Sequence, residues 1–349
     1  MKIYIAHKEI PIQNKKSLFI LTRPFLKEDV WQLNMETFKK YNLSEEIIEY
    51  ELDINQADIV LIPFSVNFYF KYNKQSFLND INLICQSRNI KAYAYVGGDF
   101  GIEFPEYSNI IYYRQGGFKS QLSNKNKGFP VGLSDHFQRL FKLENPIPTQ
   151  KKIFPLIGFC GHATVSYTKR FKEILKCLIE NAKRFFKKPL GKVYEPLFAS
   201  AYERALLLNS FEKSDKVKTN FIFRKHYRGG ALTEEQRIAT TLEYYNNILE
   251  SDYVLCIRGA GNFSVRLYET LMLGKIPIFV NTDCLLPFED KINWKNHVVW
   301  VEWEDRKNIV QRVADFHANL STDEFVHLQI NNRKLWKETL STNNIFNLI

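Results

Sequence analysis

The sequence predicts an α/β protein built as two doubly wound halves that face each other across a central cleft. Three observations carry this. Short apolar runs rich in β-formers alternate with segments of helical period along the chain, the pattern of parallel sheets covered by crossover helices. A polar stretch with two prolines, Leu143 to Lys152, separates two such series. Glycine turns at 97–101 and 258–261 each follow a strand, and open α/β sheets bind ligands beyond the carboxyl ends of their strands.

Taken in order, the first half is expected to hold strands at 3–6 and 17–22. A helix at 30–40 follows, its apolar face broken by Asn34. Asp58 to Phe64 reads as a buried strand stopped by Pro63, then come a helix at 76–88 and strands at 92–96 and 109–113. The second half opens with a strand at 153–159 and a long helix from Thr168 to Lys188. A strand at 220–223 leads to a helix at 233–250 with a capping-box start, Thr233 and Gln236. The run Tyr253 to Ile257 is a strand, and the helix after Ser264 stops at Gly274. Strands at 276–280 and 298–301 and helices at 306–320 and 323–338 complete the chain. The boundaries expected are 1–148 for an acceptor-side domain, 149–325 for a donor domain, and 326–349 for a helical segment packing back on the first domain.

Length favours two domains, and 45% hydrophobic with 25% charged residues is ordinary for a globular protein. A net charge of +10 calls for an anionic partner or a lysine-rich surface. No nucleic-acid motif accompanies the charge, so no nucleic-acid partner is expected. The five cysteines lack metal-ligand spacing and read as reduced and buried, with no disulfide and no zinc. The N-terminus enters a strand directly, and no apolar run reaches the ~20 residues of a membrane span. A cytoplasmic protein is expected, peripheral at most at the inner face of a membrane. The helix 168–188 bears on this, with Phe171, Ile174, Leu175, Leu178, Ile179, Phe185 and Phe186 on one face and six lysines beside it. The favoured reading is a core stripe with solvated lysines; the other is a helix lying on an anionic membrane.

Arg258 and Arg266 bracket the turn Gly259–Gly261, and guanidinium forks suit a diphosphate. Asn262 and Ser264 stand at the following helix start, where free N–H groups and a cap hydroxyl favour an anion. Glu269 falls one turn after Arg266, placed to accept ribose hydroxyls or simply to pair with that arginine. Gly161 and Arg170 lie at the first strand end of the second half, and the loop Lys225 to Gly230 is a further cleft candidate. Asp99, Glu103 and His162 are the candidate general bases. No DxD metal motif occurs, so no metal or other cofactor is expected, and leaving-group charge falls to the arginines and helix dipoles.

The residues from 252 to 303 resemble the exostosin family of glycosyltransferases. The elements in order are Tyr253–Ile257, Arg258-Gly259, Ser264-Val265-Arg266, Glu269, Gly274-Lys275-Ile276-Pro277-Ile278, Leu286-Pro287-Phe288-Glu289-Asp290 and Asn293-Trp294. Ala57 to Phe64, and Phe159-Cys160-Gly161 with Arg170, are similar to two further family segments. The resemblance implies the GT-B fold, two Rossmann-like domains, with an inverting mechanism, no essential metal and a UDP-sugar donor. It would put the diphosphate on Arg258, Gly261, Asn262, Ser264 and Arg266, and the ribose on Glu269. The acceptor expected is an oligosaccharide or lipid-linked glycan in surface polysaccharide or lipopolysaccharide synthesis. Two other readings stand beside it: a GDP-fucose-dependent fucosyltransferase-like enzyme, and a non-catalytic glycan-binding subunit of the same fold. The family's His-containing motif after the first-half glycine pair is missing, since Gly98 leads to Asp99-Phe100.

Overall fold

Strands buried on both faces at their centres build two parallel sheets, one in each half of the chain. The computed structural model describes residues 1–6, 17–186, 194–225 and 227–349. In chain order the first half contains β1 (Lys2–Ile5), β2 (Leu26–Lys27), β3 (Val30–Trp31), α1 (Met35–Lys40), β4 (Glu49–Glu51), β5 (Ile59–Leu61), α2 (Val66–Lys71), α3 (Gln75–Ser87), β6 (Lys91–Val96), β7 (Ile110–Arg114), β8 (Asn126–Gly128) and α4 (His136–Phe141). Its sheet is parallel throughout, in the order β4-β1-β5-β6-β7-β8. The pleat sorts its side chains: Ala92, Ala94 and Val96 enter one core layer, while Tyr93 and Tyr95 pack into the other with Phe19, Tyr113 and Phe129.

The second half contains β9 (Leu156–Gly161), α5 (Tyr167–Phe186), α6 (Ser200–Glu212), β10 (Lys218–Phe223), α7 (Glu234–Glu250), β11 (Tyr253–Cys256), α8 (Val265–Met272), β12 (Ile276–Asn281), β13 (Val299–Glu302), α9 (Ile309–Asn319) and α10 (Thr322–Leu335). Its sheet is also parallel, in the order β10-β9-β11-β12-β13. All four residues of β11 are buried, Tyr253 and Leu255 in one layer and Val254 and Cys256 in the other, as a central parallel strand requires. Counted along the chain, both sheets begin 2-1-3-4-5, so in the second the order reverses between β9 and β11. That switch point is where a doubly wound sheet opens a crevice for a ligand.

Three expectations are corrected. Residues 17–22 are not a strand. Leu18 makes a single antiparallel bridge to Phe64, and the Thr22 hydroxyl donates to the Phe19 carbonyl at 2.7 Å, closing a 3-10 turn over Ile20–Phe25 that contains Pro24. The helix expected at 30–40 begins only at Met35. Asn34, the exception on its apolar face, is the N-cap and accepts from the Thr37 N–H at 3.1 Å, while Val30 and Trp31 pair with Leu26 and Lys27. The apolar stripe of α5 is not in the core but faces outward; Lys187 and Lys188 lie outside the described residues.

The two domains meet face to face, the GT-B arrangement. The Leu286-Pro287-Phe288 segment docks against the end of β8: a Cβ on Gly128 would lie 2.4 Å from the Leu286 carbonyl, so only glycine fits there. Trp294 fixes that segment by donating from Nε1 to the Pro287 carbonyl at 2.9 Å. Residues 326–349 divide between the domains. Most of α10 stays with the second domain, where Phe325 and Leu328 enter the core. Ile345 and Phe346 cross back into the first domain's core, Phe346 against Phe25 and Tyr41 with ring centres 6.2 and 5.9 Å away. Phe346→Ala is expected to destabilise the protein by about 3–5 kcal/mol, the cost of a buried aromatic and its cavity. Urea unfolding checks this, and a loss below about 1 kcal/mol would show that the return crossing is dispensable.

Candidate functional site

Glycine turns from the two domains touch. Gly261 lies so close to the first domain that a Cβ there would sit 2.2 Å from the Asp99 carbonyl oxygen, and one on Gly116 would sit 2.4 Å from the same atom. A Cβ on Gly101 would lie 2.8 Å from the Gly117 Cα, and Gly98 has φ +98°, a conformation glycine adopts without strain. The Asp99 side chain is exposed at this junction. On the second-domain side Gly259 faces open space. Asn262 seals the seam: its buried Nδ2 lies 2.9 Å from the carbonyls of Gly117, Thr282 and Asp283, and its Oδ1 accepts from the Thr282 hydroxyl at 2.6 Å. That side chain is engaged in joining the domains.

Arg258 does not project freely from its turn. It is buried between Phe118 of the first domain and Phe198, its Nη2 pairs with Glu195 Oε2 at 3.4 Å, and its Nε has no hydrogen-bond partner among the described residues. Glu195 is itself buried, takes Arg184 at 3.1 Å, and accepts the Gly101 N–H at 2.8 Å. Arg114 is buried nearby, and burial pulls its pKa down to about 10, with Glu195 acting to hold it up. Glu195 thus stands among three guanidinium groups, of which Arg184 also pairs with Glu180 at 3.5 Å.

Arg266 occupies the switch point. Its Nη2 donates to the Cys160 carbonyl at 2.8 Å at the end of β9, and its plane lies 4.3 Å from the Phe159 ring centre. Arg204, on α6, stands over the same ring at 5.8 Å and donates to the His162 carbonyl at 2.7 Å, with its Nε lacking a partner among the described residues. Burial, with Arg266 beside it, lowers the Arg204 pKa to about 10, so it stays charged at neutral pH. Ser264 is the N-cap residue of α8 but makes no side-chain cap bond, which leaves the first N–H groups of that helix to another acceptor. Two arginines and an uncapped helix start therefore converge where β9 and β11 diverge, a setting for phosphate oxygens.

Glu269 is hydrogen-bonded to Arg266 through a tyrosine. Tyr244 donates to Glu269 Oε2 at 2.5 Å and receives Arg266 Nε at 3.4 Å, and Tyr245 donates to the other carboxylate oxygen at 3.3 Å. His162 Nδ1 lies 2.9 Å from the Arg224 carbonyl, an acceptor that requires a proton on Nδ1. Gly161 approaches Arg266 closely, whereas Arg170 stacks on Tyr202 at 4.6 Å. Glu103, half-buried, acts on Arg114 through its charge. In the loop 225–230, His226 lies outside the described residues. Glu195, Arg204, Tyr244 and Arg114 were not among the candidates, because each lies in a segment with no local motif and reaches the site only through tertiary packing. Among the described residues no group of three or more His, Cys, Asp or Glu is placed to hold a metal ion.

The fold sets the class: paired parallel α/β domains in the GT-B arrangement. Residues 199–316 match the family model described as the Exostosin GT47 domain. Exostosin-1 of Drosophila melanogaster is 27% identical over 104 residues, 30% of this chain and 13% of that protein. A probable glucuronosyltransferase of Oryza sativa subsp. japonica is 34% identical over 86 residues, 25% of this chain and 19% of the relative. The matches thus span less than a fifth of these curated relatives. Among solved structures, a glycosyltransferase from Rickettsia africae aligns over 89% of this chain and 76% of its own at 13% identity and a TM-score of 0.38.

Burial raises the Glu269 pKa, against the pull of Tyr244, Arg266 and Tyr245. A raised folded-state pKa means that this carboxyl favours folding below its ordinary value of 4.5 and loses that contribution as pH rises through the folded value. Its charge is therefore a liability at neutral pH. Glu269→Gln should raise Tm at neutral pH and lose that advantage in acid, as read by thermal melts across pH. A lower Tm at neutral pH would contradict the assignment.

Proposed function

We propose that the protein is an inverting glycosyltransferase that moves a sugar from a UDP-sugar to a glycan acceptor. The observation that carries this is the pair Arg204 and Arg266 on Phe159, at the switch point of a domain matched by the Exostosin GT47 model. Arg266, Arg204 and the N–H groups after Ser264 bind the diphosphate, with Arg258 behind the turn adding field, and Glu269 with its two tyrosines takes the ribose side. Asp99, across the seam beside Gly261, is the general base. The acceptor oxygen attacks the anomeric carbon opposite the diphosphate, and its proton passes to the Asp99 carboxylate. The carbon–oxygen bond to UDP breaks, and its electron pair leaves on the β-phosphate, where the arginines stabilise it. His162 stands on the donor side, where an imidazole suits hydrogen bonding to the sugar or phosphate better than in-line deprotonation. No metal is assigned a role. The acceptor is an oligosaccharide or lipid-linked glycan of a surface polysaccharide or lipopolysaccharide, handled in the cytoplasm.

Thermal-shift titration with UDP, GDP and CMP tests the donor site. A UDP-selective rise is expected, about 2.7 kcal/mol of stabilisation at a hundredfold excess over Kd. A GDP-selective rise would favour the fucosyltransferase-like reading, and no rise with any nucleotide would overturn the donor assignment. Arg266→Ala should lose the rise. Asp99→Asn should keep it while UDP release from UDP-sugars falls by at least about 10²-fold, in EDTA as without it. Unchanged turnover would remove Asp99 as base.

A further inference from the structure

Helix α5 is turned inside out for a soluble domain. At about 100° per residue, three arcs divide its surface. One arc faces inward and is polar: Glu173 accepts the Ala201 N–H, Asn181 exchanges two 2.8 Å bonds with the Glu195 backbone, and Arg184 pairs with the Glu195 carboxylate. The opposite arc is apolar and exposed, with Phe171 at 66%, Leu178 at 47%, Phe185 at 64% and Phe186 at 81%, joined by Leu175 and Ile179. Between them, along one edge, run the exposed lysines Lys169, Lys172, Lys176 and Lys183. An apolar stripe of this extent facing water marks an interaction surface.

We propose that this face of α5 docks the protein on a membrane rich in anionic phospholipid, with the helix lying in the interface plane. Among the described residues no helix is long and apolar enough to cross a membrane, so α5 lies on it rather than through it. The ordered lysine edge decides the occupant. A second copy of a chain with net charge +10 would bring like charges together, whereas anionic headgroups match the lysines while the aromatic and aliphatic side chains enter the acyl boundary. The inward arc of the same helix holds Glu195, the carboxylate shared with Arg258 and Gly101, so docking fixes the cleft relative to the lipid surface.

Vesicle sedimentation of the full chain, without nucleotide, tests this independently of the donor assignment. The protein should pellet with phosphatidylcholine vesicles containing phosphatidylglycerol and not with phosphatidylcholine alone, and added salt should weaken the binding. K172E/K176E/K183E should lower the partition coefficient on the order of a hundredfold. F171E/L178E should bring pelleting to background, with melting temperature and circular dichroism unchanged because both side chains are exposed. Absent or headgroup-indifferent binding of the unmodified protein overturns the proposal. So does a dimer in sedimentation velocity that F171E/L178E dissociates without any vesicle binding, which would assign the face to a second copy.

Discussion

The Glu195 carboxylate is where the two domains, the long helix α5 and the glycine turn after β11 are held to one another. One oxygen takes the Gly101 N–H from the first domain and the Arg184 guanidinium from α5, and the other takes Arg258. All are buried, and in such a setting an ion pair contributes little net stability while losing one partner costs several kcal/mol. The arrangement therefore specifies geometry more than it adds stability. It fixes how close the Asp99 turn sits to Gly261, and hence the width of the cleft at its narrowest point.

Beside β9 the guanidinium groups are matched mainly by carbonyl dipoles. Arg204 and Arg266 share the Phe159 ring and are satisfied mainly by backbone carbonyls rather than carboxylates. Carbonyls orient a guanidinium without cancelling its charge. An incoming anion meets donors already aimed and bears little of the reorganisation that free side chains would require. The tyrosine pair on Glu269 does the reverse, holding a carboxylate in a place where burial disfavours its charge.

Most of the second domain was legible in the sequence because its signals are local. A four-residue buried strand, a glycine turn and a helix that ends at Gly274, with φ +65°, are each written in adjacent residues. The capping box at Thr233 and Gln236 is another such signal. The first domain was less legible where tertiary bonds override propensity: β-formers at 17–22 are diverted by a hydroxyl-to-carbonyl bond and Pro24, and Asn34 reads as a flaw until seen as a cap. Function was legible only where a motif is contiguous. Asn262 has the residue type of an anion donor, but its valences are filled by carbonyls distant in sequence. Glu195 and Arg204 carry no signature at all. The α5 stripe misled for a different reason: periodicity reports that a helix has an apolar face but not which way it points.

The return of the C-terminus has a mechanical consequence. Among the described residues the chain crosses between domains twice, once through the linker from α4 to β9 and again between Trp336 and Phe346, where Leu340 still packs with the second domain. A single crossing would act as a swivel. Two crossings, tied together where Arg333 bonds both Asp135 and the Glu144 carbonyl, define an axis. Opening of the cleft is thereby confined to rotation about that line, as a door moves on two hinges, and the glycine turns part and meet again along one path.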